Sequence, residues 1–142
     1  MGFGPIGRDL TRKLISRGDR FYIASISDSS VAIYPKDDSQ VLEAIRWKEE
    51  SKDQKLSGLA QVKRSAEGET LQGLDYSGAA VAVDVTNSDY AKPEDARKRA
   101  LATLGAGKHF VSANKVALSY YFNQIFDNAR KKGLTIRFGA TI

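Results

Sequence analysis

The spacing of apolar residues along the chain predicts four helices. Apolar side chains recur every three or four positions in residues 5–17, 39–50, 93–104 and 118–132. Asp38 and Ser39 are expected to cap the second helix, and Pro93 suits the first turn of the third. The side chains expected to face the core are Ile6, Leu10, Leu14, Val41, Leu42, Ile45, Ala96, Ala100, Leu101, Leu104, Leu118, Phe122, Ile125 and Ala129.

Four short β-rich runs lie among these helices, at residues 21–26, 79–85, 110–113 and 134–138. The first run does not alternate cleanly between apolar and polar positions, which is typical of a parallel strand covered on both faces. Strands that alternate with helices at this spacing favour right-handed βαβ units. The sequence therefore predicts an α/β fold with a doubly wound parallel sheet, and it predicts no particular element within the polar stretch 51–78.

Composition and charge narrow the class of protein. The 142 residues suffice for one domain, and the absence of cysteine excludes disulfides and thiolate chemistry. The longest apolar run, 79–83, is far below the roughly 20 residues that span a bilayer, so we expect a soluble cytoplasmic protein without a membrane partner. The net charge of +5 is scattered and lacks an aromatic-studded basic stripe, which argues against a nucleic-acid partner.

The single histidine and the single tryptophan are expected to have structural roles. The single histidine, His109, opens a predicted strand, and neither a metal-ligand set nor a catalytic triad can be built around it. Trp47 lies in the second predicted helix and is expected to pack along one face of it. No metal site is predicted.

The chain opens with Gly2-Phe3-Gly4-Pro5-Ile6-Gly7, which has the glycine spacing of a dinucleotide-binding turn. In such a turn Gly2 permits the tight bend, Gly4 lets the backbone approach the pyrophosphate, and Gly7 lets the following helix pack closely. The N–H groups at the helix start face the phosphates, and the helix dipole attracts the anion. The spacing alone is weak evidence, because glycine-rich turns are common.

The buried strand that should precede this turn has no room in the sequence, since the turn starts at Gly2. That strand is the centre of a doubly wound sheet. We therefore expect a Rossmann-like sheet that lacks its first strand, either because native residues before Met1 were left out or because another segment fills the central position. Direct pairing of residues 21–26 with residues 79–85 would contradict this expectation.

Asp28 lies about 20 residues after the glycine turn, at the end of the first predicted strand. An acid at this position accepts hydrogen bonds from the adenosine ribose hydroxyls, which predicts cofactor binding by Asp28 and its neighbour Ser29. Its carboxylate would repel a 2′-phosphate, so NAD is favoured over NADP, and a nearby Lys36 softens that preference. The alternative interpretation of Asp28 is a turn residue or helix cap.

Polar residues follow the later predicted strands, at the sheet edge where ligands bind in doubly wound folds. The segments are Thr86-Asn87-Ser88, Asn114-Lys115 and Gly139-Ala140-Thr141. Lys115 is the candidate catalytic residue, because a lysine beside a cofactor can orient a carbonyl or stabilise developing negative charge. Its alternative is an ordinary exposed lysine that starts the next helix.

Together these motifs resemble the nucleotide-binding half of the homoserine dehydrogenase family. The glycine turn is generic, and the specific segment is Ala106-Gly107-Lys108-His109-Phe110-Val111-Ser112-Ala113-Asn114-Lys115. Further matches are Asp28-Ser29-Ser30, Ala32-Ile33-Tyr34, Val83-Asp84-Val85-Thr86 and Arg137-Phe138-Gly139-Ala140-Thr141-Ile142. The resemblance covers the whole chain and implies an oxidoreductase that interconverts homoserine and aspartate semialdehyde with NAD or NADP, on the route to threonine, methionine and isoleucine.

The resemblance also implies roles for single residues. Phe3, Pro5, Ile6 and Gly7 would line the pyrophosphate, Thr86 and Asn87 the nicotinamide side, and Lys115 would stand near the hydride-transfer site. Asn114 and Lys115 are also expected to bind the cofactor. The family commonly has an acid where this chain has Gly139, and its substrate domain and dimer-forming sheet would follow Ile142. We therefore expect residues 1–142 to be one dinucleotide-binding domain with little turnover alone, and the full-length enzyme to be a homodimer.

Two other functions remain open on the residues alone. A freestanding module that senses NAD or a nucleotide, without catalysis, needs the glycine turn and Asp28 but has no use for Asn114 and Lys115. A related amino-acid dehydrogenase with the same nucleotide domain would differ only in its substrate half.

Overall fold

The computed structural model describes residues 1–50, 55–59 and 78–139, so most of the polar stretch 51–78 lies outside the described residues. The chain divides into two compact units, Met1–Gly78 and Ala79–Ile142. The described elements mix helices with a three-stranded parallel sheet and a two-stranded sheet, which confirms the predicted α/β class. No helix in the described ranges is long and apolar enough to cross a membrane.

The second unit contains the parallel sheet. Strands β3 (Val81–Asp84), β4 (His109–Ser112) and β5 (Ile136–Phe138) pair in the order β3-β4-β5, with Ala82 opposite Phe110 and Phe110 opposite Ile136. Helix α3 (Pro93–Gly105) connects β3 to β4, and helix α4 (Lys115–Lys131) connects β4 to β5. These elements confirm the predicted βαβ alternation over this part of the chain.

Over its described residues, the first unit contains the glycine turn, two α-helices, a two-stranded sheet and an apolar cluster. Helix α1 (Pro5–Ile15) follows the turn, strands β1 (Ile26–Ser27) and β2 (Ala32–Ile33) pair antiparallel, and helix α2 (Asp38–Glu50) comes next. Single 3₁₀ turns lie at Gly18–Arg20 and Leu56–Gly58. The buried apolar cluster of this unit consists of Phe3, Ile26, Val31, Ile33, Val41, Ala44, Ile45, Leu56 and Leu59.

The prediction of a parallel strand over residues 21–26 is wrong. Only Ile26 and Ser27 form a strand, and their partners are Ile33 and Ala32 in an antiparallel hairpin. Phe21 and Tyr22 are 48% and 70% exposed rather than covered on both faces. A run with high β-propensity becomes a strand only where a neighbouring strand accepts its backbone hydrogen bonds, and sequence does not show that partner.

Two predicted buried faces are also corrected. Ile6 is 65% exposed, and α1 buries Gly7 and Thr11 instead, with the Thr11 hydroxyl donating to the Gly7 carbonyl at 2.7 Å. Phe122 is 49% exposed and stacks on Phe126 with 4.3 Å between ring centroids, next to a non-helical Tyr121 (φ −130°, ψ 20°) that interrupts α4. Ile125 and Ala129, which follow, are buried as predicted.

Helix α2 ends at Glu50 as predicted and begins at Asp38, one residue before the predicted range 39–50. Val41 and Ile45 are buried as predicted, whereas Leu42 is 40% exposed. The capping side chain is Asp37, whose Oδ1 accepts from the Gln40 N–H at 3.1 Å and from the Ser39 hydroxyl at 2.5 Å. The predicted cap at Asp38 and Ser39 therefore lies one residue too late.

The Trp47 side chain on α2 packs against the apolar cluster, as predicted, and its ring covers Gly58. The indole N–H donates to the Lys55 carbonyl at 3.2 Å, and a Cβ on Gly58 would lie 2.9 Å from the Trp47 ring. We expect Gly58→Ala to lower the free energy of unfolding by about 1–3 kcal/mol, because the added methyl displaces the ring. Urea unfolding followed by the fluorescence of Trp47, the sole tryptophan of the sequence, measures this.

Gly105→Ala is the matched control for this substitution. A Cβ at Gly105 meets no atom within 4 Å, and the residue ends α3 without a positive φ. We expect an unchanged or slightly raised stability there. Equal unfolding midpoints for Gly58→Ala and the wild type would show that the ring yields without cost.

Candidate functional site

The glycine turn is attached to the end of β1. The Gly2 and Phe3 N–H groups both donate to the Ser27 carbonyl, at 3.0 and 2.9 Å, and Gly2 has the positive φ of 84° that its role in a tight bend requires. Because Asp28 follows Ser27 directly, this contact brings the glycine turn and the predicted ribose-binding acid together in one place. The two motifs of the predicted cofactor site are thus neighbours in the structure.

The amino end of α1 is uncapped. Gly4 occupies the N-cap position without a side-chain cap, and Pro5 has no N–H to satisfy. The N–H groups of Gly4, Ile6 and Gly7 have no acceptor among the described residues, and the first turn contains no acid. A helix end with free N–H groups and a positive dipole attracts an anion, so the geometry fits the pyrophosphate of a dinucleotide.

Phe3 and Ile6 differ in what they offer this site. The Phe3 side chain is 3% exposed within the apolar cluster, so it holds the turn in place and does not line the pyrophosphate through its ring. Ile6 is exposed beside the uncapped helix end. A Cβ at Gly4 would meet no atom within 4 Å, which leaves the space over the turn open to a ligand.

Asp28 is held by five donors. Its Oδ1 accepts from the Ser30 hydroxyl at 2.6 Å and the N–H groups of Ser30 and Val31, and its Oδ2 accepts from Lys48 Nζ and the Leu56 N–H, both at 2.9 Å. A carboxylate has about four lone-pair positions, so these donors fill it. In this geometry Asp28 organises the loop after β1, as its turn-residue interpretation predicts.

The charge of Asp28 is retained and balanced. Burial by itself raises the pKa of Asp28, but the hydrogen bonds from Ser30, Leu56 and Lys48 outweigh it and lower the pKa to about 2. The Lys48 side chain is only 15% exposed and forms an ion pair with this carboxylate. The acid is therefore ionised at neutral pH, with a cation fixed beside it.

Asp84 organises the loop after β3 in the second unit. This acid is 0% exposed, its Oδ1 accepts from the Thr86 N–H at 3.0 Å and the Thr86 hydroxyl at 2.6 Å, and its Oδ2 accepts from Arg99 Nε at 3.2 Å. Asn87 comes next in the loop and is exposed, with no side-chain hydrogen bond inside the described ranges. The loop thus has a fixed base and an open polar tip.

Asn114 joins the loops after β3 and β4. Its amide Nδ2 donates to Thr86 Oγ1 at 3.1 Å and to the Asn87 carbonyl at 3.0 Å, and its Oδ1 accepts from the Val116 N–H at the start of α4. The residue is 0% exposed. Asn114 therefore positions the predicted nicotinamide-side residues rather than presenting its own amide to a ligand.

Lys115 is the first residue of α4 and is exposed. Its N–H donates to the Ser88 hydroxyl at 2.9 Å, which fixes its backbone against the loop after β3, and its ammonium forms no ion pair in the part of the chain that the structure describes. A cation at the amino end of a helix is disfavoured by the helix dipole. Lys115 thus stands at the carboxyl end of the sheet with a free charge that the fold does not require.

The remaining sequence candidates are placed as follows. His109 Nδ1 accepts from the Thr135 N–H at 2.9 Å, consistent with a structural role. Among the described residues, no cluster of three acids or histidines that could hold a metal is present. Ala140 and Thr141 lie outside the described residues.

Asp84 and Lys48 are charged members of these networks that were not among the sequence candidates. Asp84 had a usable signal, since an acid that ends an apolar strand must find a buried partner. Lys48 had none, because its contact with Asp28 spans 20 residues and depends on how α2 folds back.

Comparison with known proteins identifies relatives of this chain. The model of the homoserine dehydrogenase NAD-binding domain family matches residues 2–139. The homoserine dehydrogenase of Methanocaldococcus jannaschii is 29% identical over 149 aligned residues, which cover 100% of this chain and 43% of that protein. The homoserine dehydrogenase of Sulfurisphaera tokodaii is 29% identical over 76 residues, covering 54% of this chain and 25% of that protein.

Solved structures agree with this assignment. A hyperthermophilic archaeal homoserine dehydrogenase in complex with NADPH superposes with a TM-score of 0.77 at 26% identity, over 99% of this chain and 42% of that one. The homoserine dehydrogenase of Thermoplasma acidophilum, at 20% identity and a TM-score of 0.70 over 99% of this chain and 41% of that one, shares the fold. These neighbours confirm the Rossmann-like class, and the chain spans less than half the length of the relatives it matches.

Proposed function

We propose that this chain, which belongs to the homoserine dehydrogenase NAD-binding domain family, binds a nicotinamide dinucleotide for the interconversion of L-homoserine and L-aspartate 4-semialdehyde. The observation that carries this proposal is the uncapped amino end of α1, whose turn is attached to Ser27, the last residue of β1, directly before Asp28. The N–H groups of Gly4, Ile6 and Gly7 would take the pyrophosphate, and Asn87 at its open loop tip would take the nicotinamide side.

The nicotinamide, when bound, supplies or accepts the hydride. Lys115 contributes an ammonium at the strand end, where it would hold the substrate oxygen and stabilise the negative charge that develops on it when the aldehyde is reduced. In the reverse direction the same ammonium stabilises the negative charge that develops on the homoserine oxygen as its proton leaves to solvent. Ser88 fixes the backbone of Lys115, so its side chain starts from a defined point.

The choice between NAD and NADP is assigned to the pair of Asp28 and Lys48. The ionised Asp28 repels a 2′-phosphate and favours NAD, and the fixed ammonium of Lys48 offsets this repulsion. We therefore propose a weak preference for NAD. The NADPH bound by the hyperthermophilic relative is compatible with a preference that is small.

Substitutions of this pair should shift the ratio of the two dissociation constants in opposite directions. Asp28→Asn leaves Lys48 unpaired and should improve NADPH relative to NADH by about three- to tenfold, whereas Lys48→Met should disfavour NADPH by a similar factor. Fluorescence titration of the complete gene product with each cofactor measures the ratio. Lys13→Met, at an exposed lysine paired with Asp9, is the matched control, and an equal shift in that variant would contradict the assignment.

Turnover separates the enzyme from the nucleotide-sensing module. Homoserine-dependent formation of NADH or NADPH by the complete gene product supports the dehydrogenase, and tight cofactor binding without turnover of homoserine or other amino-acid substrates supports the sensor. Activity on another amino acid alone would favour the related dehydrogenase. A cytoplasmic location and a homodimer belong to the same proposal, and size measurement of the complete protein in solution tests the dimer.

A further inference from the structure

The buried acid Asp84 has a role that the proposed reaction does not yet use. It is the last residue of β3 and is paired with Arg99 on α3, whose side chain is 19% exposed. A buried carboxylate needs compensating partners, and this one has the Arg99 guanidinium and both donors of Thr86. These contacts fix the first turn of the loop after β3.

The Thr86 hydroxyl connects Asp84 to Asn114 and so to the rest of the loop after β3. It donates its hydrogen to Asp84 Oδ1 at 2.6 Å and accepts from Asn114 Nδ2 at 3.1 Å, so its orientation is fully determined. The Thr86 N–H is taken by the same carboxylate oxygen. Neither donor of Thr86 is therefore free for a ligand, and the Asn87 carbonyl accepts from Asn114, so among the described residues the polar group left open at the loop tip is the Asn87 side-chain amide.

We propose that Asp84 is a positioning residue for the nicotinamide half of the cofactor. Through Thr86 it sets the direction in which the Asn87 tip presents its polar groups, and Arg99 holds the carboxylate in place through its contact with Oδ2. This inference rests on the proposed function, because it assumes that the loop after β3 contacts the nicotinamide side. It adds a residue that touches neither cofactor nor substrate and acts through the loop.

The test compares the intact cofactor with a fragment that lacks nicotinamide. We use whichever of NADH and NADPH the wild-type complete gene product binds more tightly, together with the matching fragment, ADP-ribose or its 2′-phosphate. Asp84→Asn should weaken binding of the intact cofactor about tenfold, since a charge-assisted hydrogen bond is lost, and should change fragment binding less than about twofold. If Asp84 had a purely structural role, the substitution would weaken binding of both ligands equally.

Thr86→Val provides a second variant in case Asp84→Asn folds poorly. It removes the hydroxyl and keeps the shape, and should show the same selective loss, whereas Thr86→Ser restores the hydroxyl and should recover most of the affinity. Asp127→Asn is the control, because Asp127 is also an acid paired with an arginine but is 56% exposed near the end of α4. This substitution should leave the dissociation constants of both ligands unchanged.

The outcomes separate the two proposals. Wild-type protein that binds neither cofactor would overturn the proposed function, and this inference with it. Wild-type binding of the intact cofactor, with folded Asp84 and Thr86 variants that bind it unchanged or lose both ligands equally, would overturn the positioning role alone.

Discussion

Lys115→Ala is expected to abolish most of the catalytic activity while leaving cofactor binding intact. Removal of a single preorganised group that stabilises developing charge typically costs about 10²–10³-fold in kcat, and we expect that range here. The dissociation constant for NADH or NADPH should stay within about threefold, because the phosphate-binding groups lie on the glycine turn. Steady-state kinetics with homoserine and direct cofactor titration of the complete gene product measure both.

The stability of this variant should move in the opposite direction to its activity. Lys115 places a positive charge at the positive end of α4, so its removal should leave the free energy of unfolding unchanged or slightly higher. A residue that the fold tolerates against the helix dipole and that the reaction needs is a functional residue. Loss of activity together with a large loss of stability would instead indicate a structural lysine.

Lys131→Ala is the control on the same helix. Lys131 is exposed in the last turn of α4, where the dipole favours a cation, and it lies far along the helix from Lys115. We expect its kinetics to match those of the wild type. Unchanged kcat in Lys115→Ala would remove the catalytic role and favour the ordinary exposed lysine that starts a helix.

Asn114→Ala is expected to cause the largest loss of stability among the site residues. The substitution removes the side-chain cap of α4 and both amide donors, which leaves Thr86 Oγ1 with one partner fewer and the Asn87 carbonyl unpaired. A lost cap costs about 1 kcal/mol and each of the two lost hydrogen bonds about 0.5–1.5 kcal/mol, so we expect a loss of about 2–4 kcal/mol. Urea unfolding monitored by far-UV circular dichroism measures it.

Asn123→Ala distinguishes this effect from the general cost of losing an asparagine in α4. Asn123 is exposed in the middle of the helix, where alanine has the higher helix propensity. We expect an unchanged or slightly increased free energy of unfolding for this control. If Asn114→Ala were as stable as Asn123→Ala, the hydrogen bonds between the two loops would contribute nothing to the free energy of unfolding.

Local patterns predicted the second unit well. Its strands and helices can be recognised from consecutive residues, because each is marked by its own periodicity and by the residues that end it. Examples are the apolar runs around Val83 and Val111 and the helix-end residues Pro93 and Gly107. The same reasoning failed at residues 21–26, where propensity indicated a strand whose pairing only the fold could supply. The exposure of Phe122, beside the interruption of α4 at Tyr121, likewise has no signature in the sequence.

The candidate site shows the same division. The glycine spacing, Asp28 at the end of its strand and the Asn114-Lys115 pair could be read from the sequence, because each depends on distances along the chain. What these side chains do depends on their partners. Asp28 is filled by donors from Ser30, Leu56 and Lys48, and Asn114 is buried between two loops, which no local pattern indicates.

The sequence by itself determined the α/β class, the family and the positions of the chemically active groups, since periodicity, turn residues and motif spacing are written in consecutive residues. Only the tertiary structure decided which polar groups stay open to a ligand. Hydrogen-bond capacity is finite, so the partners that folding brings to Asp28, Asp84 and Asn114 use it up, while the helix end after Gly4 and the ammonium of Lys115 remain open.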